Sequence, residues 1–254
     1  MSIKVLLAGE TWISQSTHFK GFDSFSSVTY HSGADAYIAA LATFDISVTH
    51  MPAHDVPQDF PKTVDECQKF DVIVLSDIGA NSLQLPPETW LHGQASPSRL
   101  DALNEWVHAG GGLMMAGGYL SFQGFQARAN FARSPLATSL PVTMSDFDDR
   151  VECSAGEKAR AVDTTHELAA LVTSEAPNLL GYNRVFAKDE AEVVATVGED
   201  VLIATGSYGS GRTLVWTSDI GPHWCPQEFL DWSGFAPLMA GMIMHLANGA
   251  SEKR

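Results

Sequence analysis

One stretch indicates the fold most clearly: Gly110-Gly111-Gly112-Leu113-Met114-Met115-Ala116-Gly117-Gly118-Tyr119. In it a short apolar strand runs into a tight glycine turn. In many α/β hydrolytic enzymes a turn of this kind is a strand-to-helix elbow that presents a Cys or Ser nucleophile. Here the turn consists of Gly117, Gly118 and Tyr119, and none of these offers an activated thiol or hydroxyl. The stretch therefore predicts an enzyme-like α/β architecture whose usual nucleophile is absent.

The chain before this elbow alternates strand patterns with helix patterns. Apolar runs predict strands over residues 3–8, 46–51, 71–76 and 113–116. Helix patterns cover residues 32–44, where Ser32 and Asp35 resemble a capping box, and 64–70. A third helix is predicted to begin at Ser96-Pro97 and to end at Gly110. Repeated β-α-β units imply a mostly parallel sheet with helices on both faces.

After the elbow the pattern changes to shorter β segments, over residues 150–153, 193–197, 201–207 and 213–217. The turn at 206–212 predicts a hairpin rather than a phosphate-binding loop, since no helix follows it. The chain ends in an apolar helix over 237–247, which is typical of a helix in the core or in a subunit interface. No linker or repeat is visible, so one domain over residues 1–254 is predicted.

Composition limits the partners. The 254 residues include 15 Lys and Arg against 30 Asp and Glu, a net charge of −15, which argues against nucleic acid and anionic membrane. No apolar run reaches the roughly 18 residues of a membrane span, and the N-terminal apolar run is too short for a secretory signal. Three cysteines form no disulfide framework. We therefore expect a cytoplasmic protein without a cofactor, which forms a homo-oligomer if the terminal helix is an interface.

Ligands of parallel sheets bind at the carboxyl ends of the strands. Four segments are predicted to meet there, and they supply Glu10, Asp77, Asp219 and His223 together with the aromatic residues Trp12, Tyr119 and Trp224. Ser121 follows the elbow and is a further ligand-binding candidate. Carboxylates, an imidazole and flat aromatic faces suit a small polar metabolite such as a sugar or an amide.

Each candidate also has a purely structural interpretation. Asp77 can cap a turn and Asp219 can accept loop amides. Glu10 can pair with a base, His223 can be a structural histidine, Trp224 can pack in the core and Ser121 can be a loop hydroxyl.

Two further sites are chemically conceivable. His223 and Cys225 lie two residues apart, and in an extended loop they face the same way, as in a thiolate–imidazole pair. Glu10, Asp77, Asp219 and His223 also form a set of metal-binding residue types, although their spacing matches no ligand motif.

Several stretches resemble the putative glutamine amidotransferase branch of the class I glutamine amidotransferase-like superfamily. They are the segment from Ala116 to Phe125, Ser134-Pro135-Leu136 with Leu140-Pro141-Val142, Gly181-Tyr182-Asn183, the turn 208–212 and, most specifically, Asp219-Ile220-Gly221-Pro222-His223-Trp224 continuing to Trp232. The resemblance covers nearly the whole chain. It implies a flavodoxin-like α/β/α sandwich, and it extends to trehalose-utilisation-like proteins, which points to sugar metabolites.

In this superfamily the elbow carries a Cys, and a late loop supplies a His and a Glu. By that pattern the Cys is missing from residues 117–119, His223 is retained, and Glu228 is the candidate for the Glu, at a wider spacing than usual. We therefore expect no glutaminase activity. If the protein is an enzyme, His223 is expected to be a general acid or base oriented by Asp219 or Glu10. Tyr119 and the amides of Gly117 and Gly118 would contact an oxyanion or hydroxyl. The rival interpretation is a non-catalytic binding or assembly protein on the same fold.

Overall fold

The computed structural model describes residues 2–162 and 165–251, so both ends of the predicted domain lie outside the described residues. Its strands are, in chain order, β1 (Ile3–Gly9), β2 (Thr11–Lys20), β3 (Asp23–Ser32), β4 (Ile46–Met51), β5 (Val72–Ser76), β6 (Gly112–Ala116), β7 (Val142–Met144), β8 (Arg150–Glu157), β9 (Ala159–Ala161), β10 (Leu179–Asn183), β11 (Val185–Ala187), β12 (Glu192–Val197), β13 (Asp200–Tyr208) and β14 (Gly211–Trp216). Its helices are α1 (Asp35–Ala42), α2 (Val56–Asp59), α3 (Val64–Cys67), α4 (Ala80–Gln84), α5 (Pro87–Trp90), α6 (Arg99–His108), α7 (Leu136–Ser139), α8 (Gln227–Leu230) and α9 (Phe235–Ser251).

The central sheet contains eight strands within the described residues, in the order β4-β1-β5-β6-β14-β13-β12-β9. The first five strands are parallel to one another, and β13, β12 and β9 continue the sheet in antiparallel pairing. A mixed α/β fold with a large, mostly parallel sheet is thereby confirmed. The predicted hairpin at 206–212 is present, since β13 and β14 pair from Tyr208 with Gly211 onward.

Successive residues of β1 enter two different hydrophobic cores, because neighbouring side chains of a strand point to opposite faces. Leu7 packs in a core with Leu41 of α1 and Ile243 of α9, whereas Leu6 packs in a core with Leu103 of α6. Both faces of the sheet are therefore covered by helices. The finer flavodoxin-like layering stays a prediction.

The terminal helix α9 belongs to the core. Met239, Met242 and Ile243 are fully buried in it, and α9 packs against α1, β14 and β6. Of the two interpretations of this apolar helix, the structure therefore supports burial in the core. No helix in the described part of the chain is long and apolar enough to cross a membrane.

Two predicted helix starts were wrong. Ser32 ends β3 instead of beginning a helix, and α1 follows an Ala34 N-cap without a side-chain bond. The Ser32 hydroxyl donates to the Asp35 carboxylate rather than capping the backbone, at 3.0 Å. At α6 the cap is Ser98, whose hydroxyl accepts the Asp101 amide, rather than Ser96.

A β-hairpin that the sequence patterns did not predict separates β1 from α1. Its strands β2 and β3 pair in antiparallel register from Thr11 with Ser32 to Lys20 with Asp23, and they form a two-stranded sheet of their own. The turn at Gly21 has a φ of 65°, a left-handed conformation that glycine adopts without steric cost.

Candidate functional site

Four strands of the central sheet end level with one another. Gly9, Ser76, Ala116 and Trp216 are register neighbours at the ends of β1, β5, β6 and β14. The next residues along the chain are Glu10, Asp77, Gly117 and Thr217. The parallel sheet therefore brings the predicted segments together at its carboxyl edge.

The elbow has no room for a side chain at its first position. The Gly117 amide donates to the carbonyls of Trp216 (2.7 Å) and Ser218 (2.9 Å). A Cβ atom at Gly117 would lie 2.1 Å from the Thr217 carbonyl oxygen, far inside van der Waals contact with a fixed backbone atom. Only glycine fits here, so a nucleophile cannot occupy this position.

The second elbow position points between two carboxylates. Gly118 has a φ of 140°, and a Cβ atom there would lie 2.8 Å from Asp77 Oδ1 and 3.0 Å from Asp219 Oδ1. The Gly118 amide donates to Asn183 Oδ1 at 2.9 Å. The amides of Gly117 and Gly118 are thus bonded within the protein, which differs from their expected role towards an oxyanion.

The Asp77 carboxylate accepts the elbow amides that come next. Leu120 donates to Asp77 Oδ1 at 2.7 Å, and the Tyr119 amide also bonds this carboxylate. The Asp77 amide in turn donates to Ser121 Oγ at 3.0 Å. Burial raises the pKa of Asp77 to about 6, the charge of Asp219 adds to the rise, and the two amides oppose it. Asp77 therefore titrates in the range where a general acid or base operates.

Asp219 and His223 form the most polar pair of the site. His223 Nδ1 lies 3.4 Å from Asp219 Oδ2, the His223 side chain is 50% exposed, and Asp219 is buried. The same carboxylate oxygen accepts the Trp224 amide at 2.9 Å. The hydrogen bond to Asp219 raises the pKa of His223, against the opposing effect of burial. The solvent-accessible imidazole of His223 is therefore able to exchange protons, and the buried carboxylate of Asp219 is placed to orient it.

Glu10 lies on the floor of the site. It is buried, its φ is 57°, and the Ser76 hydroxyl donates to its carboxylate at 2.5 Å. Burial raises the pKa of Glu10 well above its usual value, and the charges of Asp219 and Asp77 raise it further. Burial and the two neighbouring carboxylates therefore favour the neutral, protonated form of the Glu10 side chain.

Tyr119 joins this polar group to an aromatic and cationic wall. Its ring lies edge-on to His223, with ring centroids 4.8 Å apart, and the Arg150 guanidinium lies 4.5 Å from its centroid. The Tyr119 hydroxyl donates to Glu152 Oε1 at 2.9 Å. Glu152 Oε2 accepts the Trp224 indole N–H, also at 2.9 Å. Arg150 and Glu152, both on β8, are site residues that the sequence reasoning missed.

Comparison with family models identifies the chain. A family model described as "Putative glutamine amidotransferase", of the class I amidotransferase-like type, matches residues 4–248. The chain belongs to this family. No curated protein is similar enough to count as a match.

Two solved structures resemble this amidotransferase-like chain along its length. The cytoplasmic protein STM3548 from Salmonella typhimurium is 41% identical with a TM-score of 0.92, and the match covers 96% of this chain and 99% of that one. The cytoplasmic protein STM1381 from Salmonella typhimurium LT2 is 40% identical with the same TM-score and the same coverage. A "Putative thua-like protein" from Parabacteroides merdae ATCC 43184 shares the fold at 14% identity, with a TM-score of 0.51 and coverage of 98% and 91%.

The carboxylate beside His223 is not the one that the family resemblance implies. Glu228 is exposed in α8, and no hydrogen bond or ion pair within the described residues joins it to His223. The partner of His223 is Asp219 instead, four residues earlier in the same loop. A catalytic role for Glu228 therefore stays a prediction without a contact in the structure behind it, because spacing along the chain does not fix where an irregular loop directs a side chain.

Three other predicted ligand contacts occupy different surroundings. Trp224 is fully buried and Ser121 is 2% exposed, so both side chains lie in the interior of the protein and not on an open surface. Trp12 is 43% exposed on β2 and stacks on His31, with ring centroids 5.0 Å apart. Contact of Trp12 with a ligand stays a prediction.

A buried network supports the elbow from below. Asp149 accepts the amides of Gln123 and Gly124, each at 2.9 Å, and the Asn183 side-chain amide at 2.8 Å. Asn183 is the residue that accepts the Gly118 amide. The elbow is therefore fixed by hydrogen bonds from β10 and from the residue preceding β8. Asn183 belongs to the stretch Gly181-Tyr182-Asn183 that resembles the family, although no role was predicted for it, and no sequence motif pointed to Asp149.

Neither the thiol site nor the metal site finds support. Cys225 is fully buried, and burial, together with Asp219 and Glu10, raises its pKa well above its usual value, which disfavours the nucleophilic thiolate. Among the described residues, no group of three or more His, Cys, Asp or Glu side chains is arranged to hold a metal ion.

A separate cavity lies near the beginning of β14, at the end of the strand opposite to the candidate site. Its volume is about 320 Å³, and Thr205, Arg212 and His245 are among its lining residues. Arg212 begins β14, whereas the candidate site lies beyond the end of that strand at Trp216. The cavity is therefore remote from the elbow.

Proposed function

We propose that this amidotransferase-like protein binds a small polar metabolite, sugar-like or amide-like, at the carboxyl edge of its sheet and transforms it by acid–base chemistry. The observation that carries the proposal is the half-exposed His223 held against buried Asp219, beside an Asp77 whose pKa rises to about 6. Perturbed titratable groups at a strand-end site favour a functional centre over a structural one.

The proposal gives each group a distinct role. His223 exchanges a proton with the substrate, and Asp219 orients the imidazole through Nδ1, leaving Nε2 for the reaction. Glu10, whose raised pKa favours the neutral acid, keeps the floor of the site from accumulating charge. Tyr119 and Arg150 form the wall against which a polar ligand packs.

Hydrolysis of glutamine through a thioester is not part of this function. Gly117 excludes a side chain sterically, and a side chain at Gly118 would meet the carboxylates of Asp77 and Asp219. The thiol nearest to His223 in sequence is that of Cys225, which is buried and held in its neutral form. Acid–base chemistry needs no covalent intermediate, so it suits an elbow made of glycines.

The test is a binding screen followed by turnover. Monosaccharides, sugar acids and carboxamides, glutamine among them, are screened by thermal shift, and each compound that stabilises the protein is then followed by NMR for conversion. The wild type is expected to convert at least one bound compound without releasing ammonia from glutamine. His223→Ala is expected to bind it but to convert it at least 100-fold more slowly, whereas Glu228→Ala, an exposed carboxylate on α8, should match the wild type.

A non-catalytic binding protein is the second candidate. It is favoured by the bonding of the elbow amides of Gly117, Gly118 and Leu120 within the protein, which leaves no preformed oxyanion hole. In that case the wild type binds a compound from the panel but converts none, and His223→Ala changes only the affinity. The two candidates are thus separated by the turnover of the wild type alone.

The cytoplasm is the compartment proposed for this function. The two Salmonella proteins of about 40% identity are described as cytoplasmic, and an acidic chain with three unpaired cysteines suits a reducing compartment.

A further inference from the structure

The hairpin of β2 and β3, here termed the arm, is an isolated two-stranded sheet with most of its residues exposed. It pairs with no other strand of the described chain, and both of its edges are open. A two-stranded hairpin is marginally stable in water, and an open strand edge is a template for another chain. The rest of the chain contacts the arm at its base, where Thr11 Oγ1 accepts the Ala53 amide and Tyr30 lies edge-on to His54. The outer part of each ten-residue strand is exposed and open to a second chain.

The arm also concentrates the exposed apolar surface. Seven of the fourteen large hydrophobic residues that are exposed in the described part of the chain lie on it: Trp12, Ile13, Phe19, Phe22, Phe25, Val28 and Tyr30. At roughly 200 Å² for a whole aromatic side chain, the five aromatics alone expose about 650 Å². With Ile13 and Val28, the whole arm, counting both faces and the tip, exposes apolar area close to the roughly 800 Å² that each partner contributes to a standard interface. About half of this area lies on the face that carries Ile13, Phe19, Val28 and Tyr30.

The apolar residues are sorted by face. Residues opposite each other in an antiparallel pair share a face, so Ile13 lies beside Tyr30 and Val28 lies beside Gln15. Phe19 follows on the same face, opposite Ser24. These four residues, Ile13, Phe19, Val28 and Tyr30, are called the apolar arm face. The other face carries small hydroxyl residues between two aromatic–imidazole stacks, Trp12 on His31 and His18 on Phe25.

Charge indicates which partner this surface fits. The chain carries a net charge of −15, yet residues 11–32 contain one lysine and one aspartate, Lys20 and Asp23, which face each other at the tip. A second acidic copy is repelled by most of the surface but not by the arm. Homodimer interfaces are more apolar than other protein surfaces, and their two-fold symmetry sets the same patch against itself.

We propose that the apolar arm face packs against the same face of a second copy of this chain, so that the protein is a dimer held by its arms. The arm begins directly after Glu10 and returns at Gly33, whose amide donates to the Glu10 carbonyl at 3.0 Å. The arm that makes the dimer contacts is therefore joined directly to Glu10, the residue on the floor of the candidate site.

The test is analytical ultracentrifugation of the full chain at micromolar concentration. The wild type is expected to sediment at twice the 27.4 kDa chain mass. Phe19→Glu and Val28→Glu, which place a charge on the apolar arm face, are expected to weaken dimerisation at least 100-fold while circular dichroism stays unchanged. Phe147→Glu, the same change at a residue 73% exposed outside the arm, is the matched control and should leave the dimer intact.

Two results overturn the proposal. One is a monomeric wild type at these concentrations. The other is a dimer that survives Phe19→Glu and Val28→Glu as well as it survives Phe147→Glu. Phe25→Glu tests the choice of face, because Phe25 lies on the opposite side of the arm; dissociation as complete as with Phe19→Glu contradicts the assigned face.

Discussion

Replacing Asp77 by asparagine changes how stability depends on pH. Burial and the neighbouring Asp219 raise the pKa of Asp77 from 3.8 to about 6, so the folded protein holds this proton more tightly than the unfolded chain. The stability contributed by the protonated carboxyl is complete below pH 4 and is lost as the pH rises through 6. Asparagine keeps an oxygen for the Leu120 amide and never acquires the charge.

The size of the effect follows from the shift. One pKa unit corresponds to about 1.4 kcal/mol, so the rise to about 6 corresponds to about 3 kcal/mol between pH 4 and pH 7. The Asp77 side chain keeps some contact with solvent, which screens the charge, so about 2–3 kcal/mol is expected. Relative to the wild type, Asp77→Asn should therefore gain about 2–3 kcal/mol of unfolding free energy over this interval.

Urea denaturation at intervals of half a pH unit from 4 to 8 measures this difference. Carboxyl groups remote from the site titrate alike in both proteins, so their contributions cancel when the two unfolding free energies are subtracted. The pKa of Glu10 is raised less in the variant because the charge of Asp77 is gone, and this adds to the gain in the same direction. Asp65→Asn, a change at an exposed carboxyl in the first turn of α3, is the control and should give a difference that stays nearly constant. A difference for Asp77→Asn that is equally flat would refute the electrostatic description of the site.

Three further predictions concern the elbow, the dyad and the thiols. Gly118→Cys should not create glutaminase activity and should lower the unfolding free energy by about 2 kcal/mol or more in urea denaturation, because a side chain at φ 140° is strained and meets two carboxylates; ammonia release from glutamine by this variant would contradict the steric argument. Asp219→Asn should lower the pKa of His223, followed by NMR of the imidazole protons, because the acceptor of the Nδ1 hydrogen bond loses the negative charge that stabilises the imidazolium; an unchanged midpoint would remove Asp219 as the cause of the raised pKa. Iodoacetamide should modify Cys153 before Cys225 in the native protein, as read by mass spectrometry, since Cys153 is partly exposed and Cys225 is buried; early labelling of Cys225 would reopen the thiol hypothesis.

The strands that build the site were predictable because buried parallel strands appear as short apolar runs. The apolar runs therefore predict that Glu10, Asp77 and Gly117 follow neighbouring strand ends at one edge, as the pairing of β1, β5 and β6 shows. The absence of a nucleophile was equally visible in the sequence. The steric reason for it was not, since it depends on the Thr217 carbonyl of another strand's end.

The side-chain partners were less predictable, since they depend on long-range packing. Arg150 and Glu152 reach Tyr119 only because β8 lies beside the elbow, and no local pattern encodes that approach. The arm was also missed, although a signal existed. Gly21 lies between two segments rich in Thr, aromatic and β-branched residues, and hydroxyl and apolar side chains alternate in Ser24-Phe25-Ser26 and in Ser27-Val28-Thr29-Tyr30.

Crystals soaked with the compounds that stabilise the protein locate the binding site itself. We expect electron density for a small polar molecule within hydrogen-bond distance of His223 Nε2 and against the Tyr119 ring. Binding of such a compound only in the remote cavity beside Arg212 and His245, with no ligand at His223, would contradict it.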